Sequence, residues 1–175
     1  MFFDGSLNIN GAGARILFIS PNKDKLHYIL RILFPASNNI AEYEACLHGI
    51  RLAVKLGVKR LYVHGDSALV NNQLNKEWDT THENMDLYCK EIRKWESNFY
   101  GIEYIHVVQD KNQVADALSK IGSSRAQIPQ GVFVQDIHTP SIGTDLVDKS
   151  PPDNQPPRLA HSLHQVSLER FGISR

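Results

Sequence analysis

Hydrophobic and polar positions change their spacing partway along the chain. As far as residue 34, apolar and polar residues alternate loosely in three runs separated by turn residues, which is typical of β-strands. After a breaker at 35–39, Tyr43, Leu47, Ile50 and Val54 fall on one face of a helix. Gly57 follows at the position of a C-terminal helix cap. The chain therefore begins with strands and continues with helices and strands in turn.

This spacing predicts the element order β-β-β-α-β-α-α-β-α. The predicted strands cover 1–7, 12–20, 25–34, 60–65 and 102–108, and the predicted helices cover 40–56, 67–75, 84–98 and 112–121. Three strands joined by short turns imply an antiparallel meander. The alternating strands and helices that follow imply an α/β fold, with a mixed sheet and helices on its faces.

The composition changes at Gly122. The 175 residues suffice for one domain with a sizeable core, which we place at 1–121. Residues 122–142 contain short apolar pieces and are predicted to be a connector. Residues 143–175 include a Pro-rich polar stretch and are predicted to be a disordered tail.

Composition excludes several classes of protein. Lys plus Arg equals Asp plus Glu at 19 each, so the charge does not indicate a strongly basic nucleic-acid binder. The two cysteines, Cys46 and Cys89, are predicted to be reduced core residues. No basic and apolar leader and no run of about 18 apolar residues occurs, so we expect a cytoplasmic or nuclear protein without a signal peptide or transmembrane segment.

Four acidic residues stand where a fold of this kind could gather them. Asp4 lies in the first predicted strand and Asp66 at the end of the fourth, whereas Glu42 and Asp116 lie in the first turns of two predicted helices. Crowded carboxylates repel one another, and divalent cations remove that penalty. Two Mg²⁺ ions held by such a cluster can activate water and stabilise the departing oxygen of a phosphodiester.

Each acid also has an ordinary structural interpretation. An Asp-Gly pair is common in turns, a glutamate or aspartate in a first helical turn interacts favourably with the helix dipole, and Asp66-Ser67 could cap a helix. The joint occurrence of all four acids, with their neighbours, favours the catalytic interpretation.

The neighbours of these acids resemble the four motifs of the ribonuclease H type 1 family. They are Phe-Asp-Gly-Ser at 3–6, Asn-Asn-Ile-Ala-Glu-Tyr-Glu-Ala at 38–45, Gly-Asp-Ser-Ala-Leu-Val at 65–70, and His-Val-Val-Gln at 106–109 followed by Asn-Gln-Val-Ala-Asp-Ala-Leu-Ser at 112–119. The resemblance covers about 1–121. It is strongest to the RNase H domain of plant long-terminal-repeat retrotransposon polyproteins (Ty3/gypsy-like) and to plant RNase H-like proteins.

The resemblance implies a ribonuclease H-like three-layer fold. Its mixed sheet has five strands, namely an antiparallel meander of three followed by two strands parallel to the first, with helices on both faces. It also implies Mg²⁺-dependent endonucleolytic hydrolysis of the RNA strand of RNA–DNA hybrids by two metal ions, with Mn²⁺ as a substitute. Asp4, Glu42, Asp66 and Asp116 are then the catalytic metal ligands, with Glu42 chosen over Glu44.

Further site residues follow from the same resemblance. His106 is expected to assist proton transfer or product release, or else to be a strand histidine without a role. Asn38 and Asn39 are expected to contact the hybrid through a 2′-hydroxyl or a base edge, unless they serve only loop and capping chemistry. Ser67, next to Asp66, is predicted to be a third substrate contact.

Three departures from the family pattern leave alternatives open. Ala68 and Gln109 stand where the family often has Gln and Arg, and the chain lacks the basic protrusion of some bacterial members. We therefore expect an adjoining reverse transcriptase region to supply affinity for the hybrid to an otherwise monomeric domain. The alternatives are a catalytically inactive retroelement remnant that binds nucleic acid or protein, and a 3′→5′ exonuclease on a related fold.

Overall fold

The computed structural model describes residues 1–8, 11–80, 82–108 and 131–142. The strands of this part are β1 (Phe2–Asn8), β2 (Gly11–Ile19), β3 (Lys25–Ile32), β4 (Arg60–Gly65), β5 (Gly101–His106) and β6 (Val132–Ile137). Its helices are α1 (Asn38–Lys55), α2 (Ala68–Leu74) and α3 (Glu83–Glu96). These bounds lie within about two residues of the predicted ones, and the predicted helix at 112–121 and tail at 143–175 lie outside the described residues.

The strands form one mixed sheet in the order β5-β4-β1-β2-β3-β6. Strands β1, β2 and β3 pair antiparallel, as expected for a meander with short turns. Strand β4 pairs parallel with β1, and β5 pairs parallel with β4. The predicted meander and the two parallel strands beyond it are confirmed, and both strands of the parallel β1–β4 pair lie in the interior of the sheet.

The predicted number of strands was wrong, because the described sheet has six strands rather than five. The additional strand β6 lies within the predicted connector at 122–142 and pairs parallel with β3 over six residues. Arg31 on β3 donates to the Asp136 carboxylate at 2.6 and 3.0 Å, and the Tyr28 hydroxyl donates to Gln135 at 2.8 Å. A short apolar run does not reveal a pairing partner that lies more than a hundred residues away, so the sequence pattern missed this strand.

The three described helices contribute to the core on one face of the sheet. The strand residues of this core include Phe3, Ile16, Leu30 and Val63, and α1 adds Tyr43, Leu47 and Ile50, all essentially inaccessible to solvent. Each fully buried side chain of this size stabilises the fold by roughly 1.5–3 kcal/mol. The opposite face carries a smaller cluster around Leu17 and Ile29. Helices on both faces stay a prediction, because the described helices contribute to the first core alone.

Helix α1 begins two residues earlier than predicted and ends one residue earlier. The Ser37 hydroxyl caps it by accepting from the Ile40 N–H at 3.3 Å. Gly57 has a φ of 75°, and the Val58 N–H donates to the Ala53 carbonyl at 3.0 Å, which together close the helix in a Schellman motif. Because the helix starts at Asn38, Glu42 lies in its second turn rather than in its first.

Two smaller expectations concern the cysteines and the membrane. Cys46 and Cys89 are both free and buried, which confirms that they are core residues. Within the described ranges, no helix has the length and apolar character needed to cross a membrane.

Candidate active site

Strand pairing brings the first two acids together. Strands β1 and β4 are parallel neighbours, with Phe3 level with Gly65. Asp4 is the next residue on β1 and Asp66 is the first residue after β4, and neighbouring strands lie only about 4.8 Å apart. Their carboxylates therefore meet at the point where β4 ends and the chain turns into α2.

Gly5 allows the third acid to join them. A β-carbon at Gly5 would lie 2.7 Å from the Glu42 Cα and would overlap the Glu42 and Ala41 backbone. Without that carbon, α1 lies directly against β1 and the Gly5 N–H hydrogen-bonds the Glu42 carboxylate. The Asp-Gly pair thus has a packing role: the aspartate supplies a ligand and the glycine admits the helix that supplies the next one.

The structure therefore gathers Asp4, Glu42 and Asp66. A carboxylate oxygen from each lies within 4.8 Å of the others. Glu42 is only 4% exposed, and its Oε2 atom is buried without a hydrogen-bond partner among the described residues. Asp116, the fourth predicted ligand, lies outside the described residues.

The negative charges of the three carboxylates are not balanced by positive charges close to them in the part of the chain that the structure describes. Burial, followed by the charges of Asp4 and Asp66, raises the pKa of Glu42 to about 9, although the Gly5 N–H opposes this rise. Burial and the Asp66 charge raise the pKa of Asp4 to about 6, although the Arg15 charge opposes it. Without a bound cation, Glu42 therefore keeps a proton at neutral pH.

These residues fit a hard divalent cation. Three convergent carboxylates are oxygen donors of the type that Mg²⁺ and Mn²⁺ prefer. The unpartnered Oε2 atom of Glu42 is a buried acceptor that such an ion would satisfy, since buried polar atoms are rarely left without a partner. A divalent charge would also displace the proton that the crowded carboxylates retain.

The turn that carries Asp66 is held on both sides. The buried Asn71 side chain donates to the carbonyls of Gly65 at 3.0 Å and Ser67 at 2.8 Å. His106, the exposed last residue of β5, donates from Nε2 to the Asp66 carbonyl at 3.2 Å. The structure thus brings His106 next to the carboxylate cluster, with its ring open to solvent.

The predicted substrate contacts lie at two helix starts near the cluster. Asn38 is exposed and Asn39 half-buried, as the first two residues of α1, and Ser37 rather than either asparagine provides the cap. Ser67 caps α2 by accepting from the Val70 N–H at 3.3 Å. Capping therefore accounts for Ser67, but it does not account for the two asparagines.

Glu44 has a different environment from Glu42. Its carboxylate is fully buried and accepts from the Tyr88 hydroxyl at 2.5 Å, the Ser141 N–H at 2.7 Å and the Ser141 hydroxyl at 2.5 Å. The His48 ring lies 3.4 Å away. Burial acts to raise the pKa of Glu44, but these hydrogen bonds together hold it below its usual value. Glu44 therefore ties the segment after β6 to α1 and α3, and Glu42 alone of the two joins Asp4 and Asp66.

Sequence reasoning missed two residues that support the cluster, Arg15 and Asn71. Arg15 lies opposite Asp4 in the β1–β2 pair, with its Nη1 atom 3.8 Å from Asp4 Oδ2. The turn residues in the sequence at 8–11 could have revealed this pairing, because a short turn between two predicted strands fixes their register. No comparable signal marks Asn71, since the helical pattern of α2 is too short to show which of its polar residues is buried.

Comparison with known proteins agrees with this geometry. A profile of the reverse transcriptase-like family matches residues 2–122. Ribonuclease HI of Halobacterium salinarum is 37% identical over 86 residues, which make up 48% of this chain and 42% of that protein. The bifunctional protein Rv2228c of Mycobacterium tuberculosis is 34% identical over 84 residues, which make up 48% of this chain and 23% of that protein. The matches thus span less than half the length of these relatives.

Solved structures share the fold. The crystal structure of RNase H1 from Halobacterium salinarum NRC-1 has a TM-score of 0.59 at 29% identity and covers 67% of this chain and 90% of that one. LC11-RNase H1 in complex with an RNA/DNA hybrid has a TM-score of 0.60 at 21% identity. The match covers 70% of this chain and 97% of that one, and at this identity it supports the fold alone. With a family profile matched over residues 2–122 and this shared fold, the chain belongs to the reverse transcriptase-like family of ribonuclease H-like proteins.

Proposed function

We propose that this chain is a metal-dependent endonuclease that hydrolyses the RNA strand of RNA–DNA hybrids. The observation that carries the proposal is the convergence of Asp4, Glu42 and Asp66 within 4.8 Å, with a buried and unpartnered glutamate oxygen among them. Membership of a ribonuclease H-like family supports the same activity.

The proposed cofactor is a pair of Mg²⁺ ions, with Mn²⁺ as a substitute. Asp4, Glu42 and Asp66 would hold them together with Asp116. When bound, such ions generate a reactive water at neutral pH and stabilise the departing oxygen of a phosphodiester. Support for Asp116 comes from its place in the chain, because β5 ends at His106, beside Asp66, and Asp116 follows ten residues later.

The remaining site residues have separate proposed roles. His106 is exposed beside the cluster, where its ring can exchange a proton with the reacting groups or with solvent. Asn38 and Asn39 begin the helix that carries Glu42, and their amide groups can donate to and accept from a 2′-hydroxyl. We assign Ser67 a substrate contact in addition to its capping role, because it follows Asp66 directly.

The origin and partners of the chain belong to the same proposal. The match to a reverse transcriptase-like family supports descent from a retrotransposon polyprotein, and the motifs favour a plant element. Equal numbers of acidic and basic residues give the domain little general attraction for phosphates. We therefore propose a monomeric domain that acts in the cytoplasm or the nucleus, with an adjoining reverse transcriptase region supplying affinity for the hybrid.

A panel of labelled substrates tests the proposed specificity. The purified chain is incubated in Mg²⁺ with a hybrid whose RNA strand carries a fluorophore, and in parallel with single-stranded RNA, double-stranded RNA and double-stranded DNA of the same sequence. We expect internal cuts in the RNA strand of the hybrid alone. The Asp66→Asn variant should lose these cuts, whereas Asp24→Asn, in the turn after β2, should keep them.

Other outcomes separate the alternatives. Binding of the hybrid without cleavage, equal in the parent and in Asp66→Asn, would indicate an inactive remnant that binds nucleic acid. Stepwise removal of nucleotides from a 3′ end would indicate an exonuclease. Cleavage that persists in Asp66→Asn would exclude the carboxylate cluster as its cause.

A further inference from the structure

Arg15 brings a permanent positive charge to the carboxylate cluster. It is paired directly with Asp4 in the β1–β2 register, and its Nη1 atom lies 3.8 Å from Asp4 Oδ2. The two side chains are only 15% and 14% exposed. Arginine side chains carry a permanent positive charge in proteins.

The strand register brings Arg15 opposite Asp4. Residues opposite each other in an antiparallel pair have β-carbons about 5 Å apart on the same face of the sheet. The β1–β2 pairing runs without interruption from Phe2 and Leu17 to Asn8 and Gly11, so the position of Arg15 relative to Asp4 follows from the whole hairpin. The register therefore places the Arg15 and Asp4 side chains next to each other on the same face of the sheet.

We propose that Arg15 is a positioning residue whose positive charge competes with the divalent cation for the Asp4 carboxylate. It holds the Asp4 carboxylate in place when no metal is bound, and its charge lowers the affinity of the cluster for Mg²⁺. The inference rests on the proposed function, because it requires that Asp4, Glu42 and Asp66 bind a divalent ion.

Charge balance gives the direction of the effect. Three ionised carboxylates and one guanidinium carry a net charge of about −2 when the glutamate is deprotonated, and removing the guanidinium makes it about −3. A site with one more negative charge attracts a divalent ion more strongly, while its ion-free form is less stable because the carboxylates repel one another. Arg15 thus stabilises the metal-free protein at the expense of metal affinity.

The experiment measures Mg²⁺ binding by isothermal titration calorimetry on the full chain, without substrate. In Arg15→Met, which keeps the volume and removes the charge, we expect a dissociation constant about tenfold lower, equal to about 1.4 kcal/mol. Arg15→Lys retains the charge and should stay within about threefold of the parent. Arg31→Met, which removes an exposed arginine paired with Asp136, is the matched control and should leave Mg²⁺ binding unchanged.

A second readout is the thermal midpoint of unfolding in EDTA and in Mg²⁺. Arg15→Met should unfold at a lower temperature than the parent in EDTA and should gain more from Mg²⁺. Should Arg15→Met fail to fold, Arg15→Gln replaces it with the same expectations.

The results also separate the two levels of the proposal. Unchanged or weaker Mg²⁺ binding in the folded, uncharged variants, together with Asp66-dependent binding in the parent, would overturn the role of Arg15 and leave the nuclease proposal standing. If Arg15→Met instead weakened hybrid binding alone, with Mg²⁺ affinity unchanged, Arg15 would be a phosphate contact and the inference would be wrong. A parent that binds Mg²⁺ no better than Asp66→Asn would overturn both proposals.

Discussion

Replacing Glu42 with glutamine is expected to stabilise the metal-free protein at neutral pH. Burial and the charges of Asp4 and Asp66 raise the pKa of Glu42 from 4.5 to about 9. A carboxyl group whose pKa is higher in the folded chain than in the unfolded chain makes its full contribution to stability when the pH is below the unfolded pKa. That contribution is lost as the pH rises towards the folded pKa. Between pH 4.5 and about 9, the folded chain keeps a proton that the unfolded chain has released.

The size of the effect follows from this window. Each pH unit within it lowers the free energy of unfolding by about 1.4 kcal/mol. Over the three units between pH 5 and pH 8, Glu42 alone lowers it by about 4 kcal/mol. Glutamine has no proton to release, so in Glu42→Gln the free energy of unfolding no longer falls with rising pH on account of this residue. An effect of this size is readily measured, because a whole domain is stable by only about 5–15 kcal/mol.

Urea denaturation in EDTA between pH 5 and pH 8 provides the assay. Burial lowers the pKa of His27 and His64, which gives the opposite pH dependence below about 6.5, so the quantity to compare is the difference between variant and parent. Glu103→Gln, which removes an exposed strand glutamate, should retain the pH dependence of the parent. Equal pH slopes in the parent and in Glu42→Gln would refute the view that Glu42 is held protonated by burial and by its neighbours.

Three further substitutions test the surroundings of the cluster. Gly5→Ala places a β-carbon against the backbone of α1, at overlapping distance. We expect the free energy of unfolding to fall by about 1–3 kcal/mol and the cleavage rate to fall about a hundredfold. Ser141→Ala deprives the buried Glu44 carboxylate of a hydroxyl donor and should cost about 1–3 kcal/mol in urea denaturation. His106→Ala should lower the rate of hybrid cleavage by about tenfold or more. It should lower the free energy of unfolding by no more than about 1 kcal/mol, through loss of one exposed hydrogen bond.

Each of these substitutions has a matched control. A β-carbon at Gly101 would meet no atom within 4 Å, so Gly101→Ala should be tolerated. Ser97→Ala removes an exposed hydroxyl, and His82→Ala removes an exposed ring that makes no capping hydrogen bond. A Gly5→Ala variant as active as Gly101→Ala would contradict the packing described for Gly5. A Ser141→Ala variant as stable as Ser97→Ala would contradict the packing described for Ser141. A His106→Ala variant as fast as His82→Ala would remove the proposed proton-transfer role.

The order and bounds of most elements could be predicted because they are encoded locally. The helical spacing of Tyr43, Leu47 and Ile50 and the cap at Gly57 depend on residues within a few turns of one another. The turn chemistry between the first three strands is equally local. These are the features that a pattern of apolar and polar positions records directly.

Strand β6 could not be predicted in the same way. Its pairing with β3 joins residues about a hundred positions apart, and its anchor to α1 depends on a carboxylate, Glu44, whose burial is not visible in the sequence. The matched family profile ends at residue 122, so the family pattern gave no indication of it either. Sequence reasoning therefore predicted a connector in a region that contains a sixth strand.

The cluster itself was partly predictable. Asp4 and Asp66 follow from the pairing of two predicted strands, but Glu42 could be chosen over Glu44 only by resemblance. In the structure, Gly5 brings α1 against β1 and places Glu42 beside Asp4, while Glu44 points towards Tyr88 and Ser141. The roles of all these residues in catalysis stay predictions.

The proposed function requires that Asp4, Glu42 and Asp66 would hold a divalent metal ion for hydrolysis of the RNA strand of a hybrid. The most direct test is the initial rate of cleavage by the parent and by Asp66→Asn at the same Mg²⁺ concentration, with an EDTA control. We predict metal-dependent internal cuts by the parent and a much lower rate for Asp66→Asn. Losing a residue that only supports a metal ligand lowers activity by roughly 10- to 100-fold, and the loss in Asp66→Asn should be larger than that. Equal rates for the two proteins, or cleavage that continues in EDTA, would contradict the claim.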